Sequence, residues 1–166
     1  LLGRFTVAYC WAHTRRDFIR ILDADDSAEV WGTAWLRIIA AVFQLANRRR
    51  ENLDKPELVK RLTTRIERLL KYIELKGAKE LRGTSLTAAQ RKALVRMQKH
   101  WKGLQVFVDH PELPMDNNAA ERSLRIEVVG RKNYYGSGSE WSASFAALLF
   151  SIFQTLKIWN INERLW

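Results

Sequence analysis

Between residues 27 and 108, apolar side chains recur every three or four positions in three successive stripes. Trp31, Trp35, Ile38, Ile39, Val42, Leu45 and Ala46 make the first. Leu58, Leu62, Ile66, Leu69, Leu70 and Ile73 make the second. Leu94, Met97, Trp101, Leu104 and Val108 make the third. This period puts each set on one face of an α-helix, and three such faces bury one another as an antiparallel bundle. Only eight Gly and three Pro interrupt 166 residues, which favours long helices over a turn-rich β architecture.

Local signals mark the ends of these helices. Asp26 stands three residues before Glu29, a helix-start pattern, and the acids at 23, 25 and 26 read as an N-terminal cap. Pro56 is tolerated in the first turn of the second helix, which runs into a loop over 77–85. Thr87 and Gln90 form a capping-box pattern for a third helix continuing to Val108. Residues 110–114 break it. Asp116 or Asn117 then caps a further helix carrying Glu121, with Leu124, Val128 and Val129 as its apolar contacts and Gly130 near its end. A polar loop over 131–139 precedes a strongly apolar helix containing Trp141, Phe145, Leu148, Leu149, Ile152, Phe153 and Leu156, and a short turn starts at Asn160. At the other end, Phe5, Val7 and Tyr9 alternate with Arg4, Thr6 and Ala8, which predicts one short strand. The chain downstream supplies it few partners. With no Met at its start, the sequence reads as a segment of something longer.

The formal net charge is +10 and the pI about 10.1. This balance attracts polyanions, nucleic acid first and an anionic membrane surface second. The alternative is a set of solvated basic faces. Lys60, Arg61, Arg65, Arg68 and Lys71 surround the second apolar stripe, where they either meet solvent or track a DNA backbone. The single Cys forms no internal disulfide and fits a reducing cytoplasm. Arg4 and Tyr9 interrupt the opening apolar stretch, so no signal-peptide pattern is present. The longest apolar run, residues 143–152, contains serine and falls short of the ~20 residues of a membrane span.

Residues 116–125, Asp-Asn-Asn-Ala-Ala-Glu-Arg-Ser-Leu-Arg, concentrate carboxylates, amides and arginines as phosphate or metal chemistry would. The cluster has too few ligands to hold a metal alone. Asp116 precedes Glu121 by five residues and would point away from it on a continuous helix, so it reads as a cap or support. Asn117 and Asn118 either cap the helix, orient Glu121 or bind phosphate. Arg122 and Arg125 are placed for one to pair with Glu121 and the other to reach DNA. Arg131, Lys132 and Asn133, between Gly130 and Gly136, are candidates for the DNA backbone, with Arg15 and Arg16 secondary. Tyr134 and Tyr135 either stack on bases or pack inward. Cys10 and His13 share a helical face and are either half of a zinc site or a packed thiol and a hydrogen-bonding imidazole.

The segment Cys10-Trp11-Ala12-His13-Thr14-Arg15-Arg16-Asp17-Phe18, the 116–125 stretch, Gly130-Arg131-Lys132-Asn133-Tyr134 and the apolar closing helix together resemble the insertion-sequence family 66 transposases. The resemblance spans nearly the whole chain, with the middle bundle similar in character more than in letters. It implies a mainly α chain: the C-terminal helices of an incomplete RNase H-like α/β fold with one N-terminal strand, interrupted by a helical bundle. The implied parts are 1–26, a helical insertion over 27–108, and 109–166. It implies DDE chemistry, with Glu121 as the third acid and two aspartates upstream of Leu1. Two Mg²⁺ or Mn²⁺ ions held by three such acids would activate the attacking oxygen and stabilise the leaving one. This chain alone is then expected to be inactive. Implied partners are transposon-end and target DNA, further copies of the protein in a DNA complex, and accessory transposition proteins, with no membrane. The implied location is the bacterial cytoplasm, with the nucleoid. The alternative is a non-catalytic basic helical module that binds DNA or a protein.

Overall fold

The computed structural model describes residues 6–123, 125, 128–129 and 138–162. The chain is mainly α. In order the elements are α1 (Trp11–Ala24), a 3₁₀ turn (Asp26–Ala28), α2 (Glu29–Arg50), α3 (Pro56–Arg82), α4 (Ala88–Lys99), α5 (Trp101–Leu104), α6 (Val106–Asp109), α7 (Asn118–Ser123) and α8 (Glu140–Ile158). They fall into two compact units, Leu1–Asn117 and Asn118–Trp166.

In the first unit α3 packs on α2, α4 and α6, and α1 packs on α2 and α4. The expected stripes form its core: Trp35, Ile39, Val42 and Ala46 from α2, Ile66, Leu70 and Ile73 from α3, Leu94 and Met97 from α4. Trp11 and Phe18 of α1 join them. Phe18 stacks on Trp31 and Trp35, with ring centroids 5.4 Å away in each case. The Thr87 capping box forms: Gln90 N–H donates to Thr87 Oγ1 at 3.3 Å, and Thr87 N–H donates to Gln90 Oε1 at 2.9 Å. Two orphan donors are thereby satisfied at the start of α4.

Four expectations are corrected. The capping acid is Asp25 and not Asp26: it accepts from Ser27 N–H at 2.9 Å and caps the 3₁₀ turn, while α2 itself follows Ala28 without a side-chain cap. The loop expected from residue 77 starts at Gly83, because Gly77 is a buried residue inside α3 facing Trp35 and Met97. The third helix does not run unbroken to Val108, since it stops at His100 and again at Gln105, giving α4, α5 and α6. The N-terminal strand is absent among the described residues. Residues 6–10 lie outside any helix, and Tyr9 N–H donates to Gly103 O at 3.0 Å, a helical residue and not a neighbouring strand.

In the second unit, α7 is short and α8 is long. Ser139 caps α8 by accepting from Ser142 N–H at 3.2 Å. Leu156 is buried, whereas Trp141, Phe145, Leu148 and Ile158 are exposed. By length and composition alone α8 is apolar enough to cross a bilayer, although Ser142, Ser144, Ser151, Gln154 and Thr155 interrupt its apolar surface.

Candidate functional site

Trp11 closes the first unit on itself. It is the first residue of α1 and fully buried, and its indole Nε1–H donates to Leu104 O at 2.7 Å. Its backbone N–H donates to Met115 O at 2.9 Å. The first N–H groups of a helix have no partner within the helix, so a distant carbonyl that accepts one ties the two segments. Gly103 allows the approach. A Cβ there would lie 2.7 Å from Val7 O and 2.3 Å from Tyr9 Cδ2. The far end of the helical bundle is thus fixed beside the Cys-Trp-Ala-His segment.

The closure brings residues remote in sequence into one cleft of about 480 Å³. Cys10, His13, Thr14 and Asp17 line it from the α1 side, Arg96 and His100 from the α4 side, and Asp116 and Asn117 from the segment after Met115. Cys10 is half-buried and His13 exposed. Arg96 Nη1–H donates to both carboxylate oxygens of Asp17, at 3.2 and 3.3 Å, and Arg20 approaches the same group at 3.7 Å. The His100 ring lies 4.1 Å from that of Tyr9. Cationic, anionic and neutral hydrogen-bonding groups therefore face one cleft. Cys10 and His13 offer two soft donors of the four a structural zinc requires. Among the described residues no group of three or more His, Cys, Asp or Glu side chains is arranged so that it could hold a metal ion.

The remaining acid belongs to the second unit. Glu121 is half-buried in the first turn of α7, and Arg122 beside it is exposed, as is Arg125. A carboxylate in a first turn is favoured by the partial positive charge of the helix start. α7 begins at Asn118, directly after Asn117, so Asp116 lies outside the helix and not on a continuous turn with Glu121. Arg15 and Arg16 are exposed on α1. Gly130, Arg131, Lys132, Asn133, Tyr134 and Tyr135 lie outside the described residues.

Several organising residues are invisible in the pattern. Asp17, Arg96 and His100 complete the cleft, and only the fold brings α1 to α4. Glu80 Oε2 accepts from the indole N–H groups of Trp31 at 2.9 Å and Trp35 at 3.0 Å, and its other oxygen pairs with Lys76. Arg49 is buried, and its guanidinium donates to Thr63 Oγ1 at 3.0 Å, Val108 O at 3.1 Å and Phe107 O. Burial lowers its pKa from the ordinary arginine value, opposed by the charges of Glu112, Glu67 and Asp109. A helix-facing period count around Arg48-Arg49-Arg50 would single out the middle one.

Residues 2–145 match the model of the family described as Transposase IS66 family. Among curated proteins, the chain is similar to uncharacterized protein y4hP of Sinorhizobium fredii (strain NBRC 101917 / NGR234), 26% identical over 170 residues that cover 97% of this chain and 31% of that protein. It is also similar to uncharacterized protein y4jD of the same organism, 27% identical over 164 residues that cover 96% of this chain and 31% of that protein. The chain spans about a third of the length of these relatives. No solved structure matches it significantly. With the family model covering most of its length, the chain belongs to the IS66 family of transposases.

Proposed function

We propose that this chain is the part of a DDE transposase that contributes the last acid, Glu121, to phosphodiester cleavage and strand transfer at transposon ends. Membership of the transposase family carries the reading. The closure of the first unit supports it: by bonding Trp11 to both Leu104 and Met115, the fold loops the bundle out and returns the chain beside its starting point. A helical insertion placed between two parts of one catalytic domain needs this return. An RNase H-like sheet would then lie in the part of the longer protein that this chain does not span.

The described residues do not by themselves fit a two-metal centre, since no group of three or more metal-ligating side chains among them is arranged to hold an ion. In the proposal Glu121 is one hard oxygen donor to Mg²⁺ or Mn²⁺, and two further acids come from the rest of the protein. Arg122, Arg125, Arg131, Lys132 and Asn133 contact the DNA backbone, with Arg15 and Arg16 as secondary phosphate contacts. Asp116, Asn117 and Asn118 support the start of α7. Assembly with DNA, other copies and accessory proteins belongs to the same proposal, as does work in the cytoplasm at the nucleoid.

The test is Mg²⁺-dependent cleavage of end-containing DNA by the complete reading frame. Loss of cleavage in Glu121→Gln with DNA binding kept supports the role, and parental cleavage by that variant overturns it. A second reading, a basic helical module that binds DNA without cutting it, is favoured by the exposed cations of α3. Binding without metal-dependent cleavage by the complete protein would select it.

A further inference from the structure

The buried side of α3 is Leu62, Ile66, Leu70, Ile73 and Gly77. Opposite it stand Arg61, Arg65, Arg68, Lys79 and Arg82, all exposed. At 100° per residue these five fall within about 100° of the helix circumference, and at 1.5 Å per residue they extend over about 32 Å. Among the described residues none of the five has an ion-pair partner. Of the helix's acids only Glu57 shares this stripe, one turn before Arg61; Glu67 and Glu74 lie on a flank, with Glu74 paired to Lys71, and Glu80 lies toward the buried side, paired to Lys76. A solvated helix surface usually intersperses both signs, because i,i+4 pairs of opposite charge stabilise it. Five like charges on one stripe cost self-repulsion, which a polyanion would relieve.

We propose that this face of α3 is a docking surface for the phosphate backbone of duplex DNA, made of residues other than those assigned around Glu121. The surface depends on the transposase reading only for the identity of the polyanion. Its length matches about nine base pairs of duplex at 3.4 Å per pair on one strand. A basic amphipathic helix on a membrane would instead put aromatic and leucine side chains into the lipid. The apolar side of α3 is consumed by the bundle core, leaving only Tyr72 and Leu75 among the exposed cations.

The experiment measures binding of the 166-residue chain to a fluorescent 30-base-pair duplex of arbitrary sequence as KCl rises from 50 to 200 mM. Five phosphate contacts predict a loss of affinity of about 500-fold over that range. In Arg61→Gln/Arg65→Gln/Arg68→Gln the loss shrinks to about 10-fold, and binding at 50 mM weakens. Lys92→Gln/Lys99→Gln/Lys102→Gln removes the same charge from exposed positions of α4 and α5 and leaves the salt dependence near parental. Circular dichroism melts check that both variants fold. Equal effects of the two triples, or no duplex binding by the parent, overturn the proposal. So does α3-dependent binding to phosphatidylserine vesicles in the absence of duplex binding. None of these outcomes touches the Glu121 role, because cleavage at transposon ends by the complete protein is read separately.

Discussion

The indole N–H of Trp11 donates to the carbonyl of Leu104 at 2.7 Å, across 93 positions of sequence. This bond joins the start of α1 to the end of α5, and through the neighbouring Trp11 N–H to Met115 O bond it sets where residues 116 and 117 emerge. Trp11→Phe keeps most of the apolar volume and removes the donor, leaving Leu104 O buried without this partner. The expected cost is about 1–2 kcal/mol in urea unfolding. Trp11→Ala adds a cavity and should cost about 3–5 kcal/mol. Equal stability of Trp11→Phe and the parent would show that the hydrogen bond does not hold the closure.

Arg49 donates to the carbonyls of Phe107 and Val108, at the C-terminal end of α6, where orphan carbonyls and the negative helix end favour a cation. Lys offers a single ammonium and cannot reproduce the fork. Arg49→Lys should cost about 2 kcal/mol and Arg49→Met about 3 kcal/mol, each leaving buried acceptors unpaired. Arg48→Met and Arg50→Met, on the exposed flanks, should lie within about 0.5 kcal/mol of the parent. Burial lowers the pKa of Arg49, so its charged form is penalised in the fold. The linked stability term therefore rises with pH, but only as pH approaches the lowered value. Below the lowered value both states keep the charge, and there the stability difference between parent and Arg49→Met should be flat.

Two glycines should respond in opposite directions. A Cβ at Gly77 would meet Met97 Cε at 3.6 Å and Trp35 Cη2 at 3.7 Å, ordinary contact distances. Gly77→Ala should stabilise α3 by about 0.5–1 kcal/mol through lower unfolded-chain entropy. At Gly103 the new atom would meet the backbone oxygen of Val7 at 2.7 Å, and a backbone oxygen cannot swing aside. Gly103→Ala should cost about 2 kcal/mol or more, by overpacking. Thermal melts of the two single variants check both signs.

The apolar stripes of α2 and α3 are legible in the sequence because burial selects one face of a helix, and a period of 3.6 exposes that selection in the letters. The capping box at Thr87 is legible for a similar reason, since both partners lie within one turn. The breaks at His100 and Gln105 are not, because the apolar spacing runs on through them. Gly77 has the composition of a loop residue and is helical, since helices tolerate a glycine where two others pack against them. Of the cleft, Cys10, His13, Asp116 and Asn117 stand out by local composition. Asp17, Arg96 and His100 do not, because they meet only when α1 lies against α4. In a basic run such as Arg48-Arg49-Arg50 composition is the same at all three positions, and only the helical period continued from Val42 and Ala46 points to the buried Arg49.

The two acids of the 116–125 stretch should separate in function as they do in structure. Asp116 lies outside the helix, lining the cleft of the first unit, while Glu121 is half-buried in the first turn of α7. A residue that holds up a helix start tolerates loss of its charge better than one that binds a catalytic ion. Removing a metal-ligating carboxylate forfeits several kcal/mol of transition-state stabilisation. In the complete reading frame, Glu121→Gln should therefore lower end cleavage by about 10³-fold or more, without shifting the affinity for end DNA. Asp116→Asn should lower it about 10-fold, equivalent to about 1.4 kcal/mol, and should also lower the melting temperature. The melting temperature of Glu121→Gln should stay within about 2 °C of the parent, since a half-exposed carboxylate contributes little to the fold. If Asp116→Asn proves the more damaging to cleavage at unchanged stability, the assignments of the two acids must be exchanged.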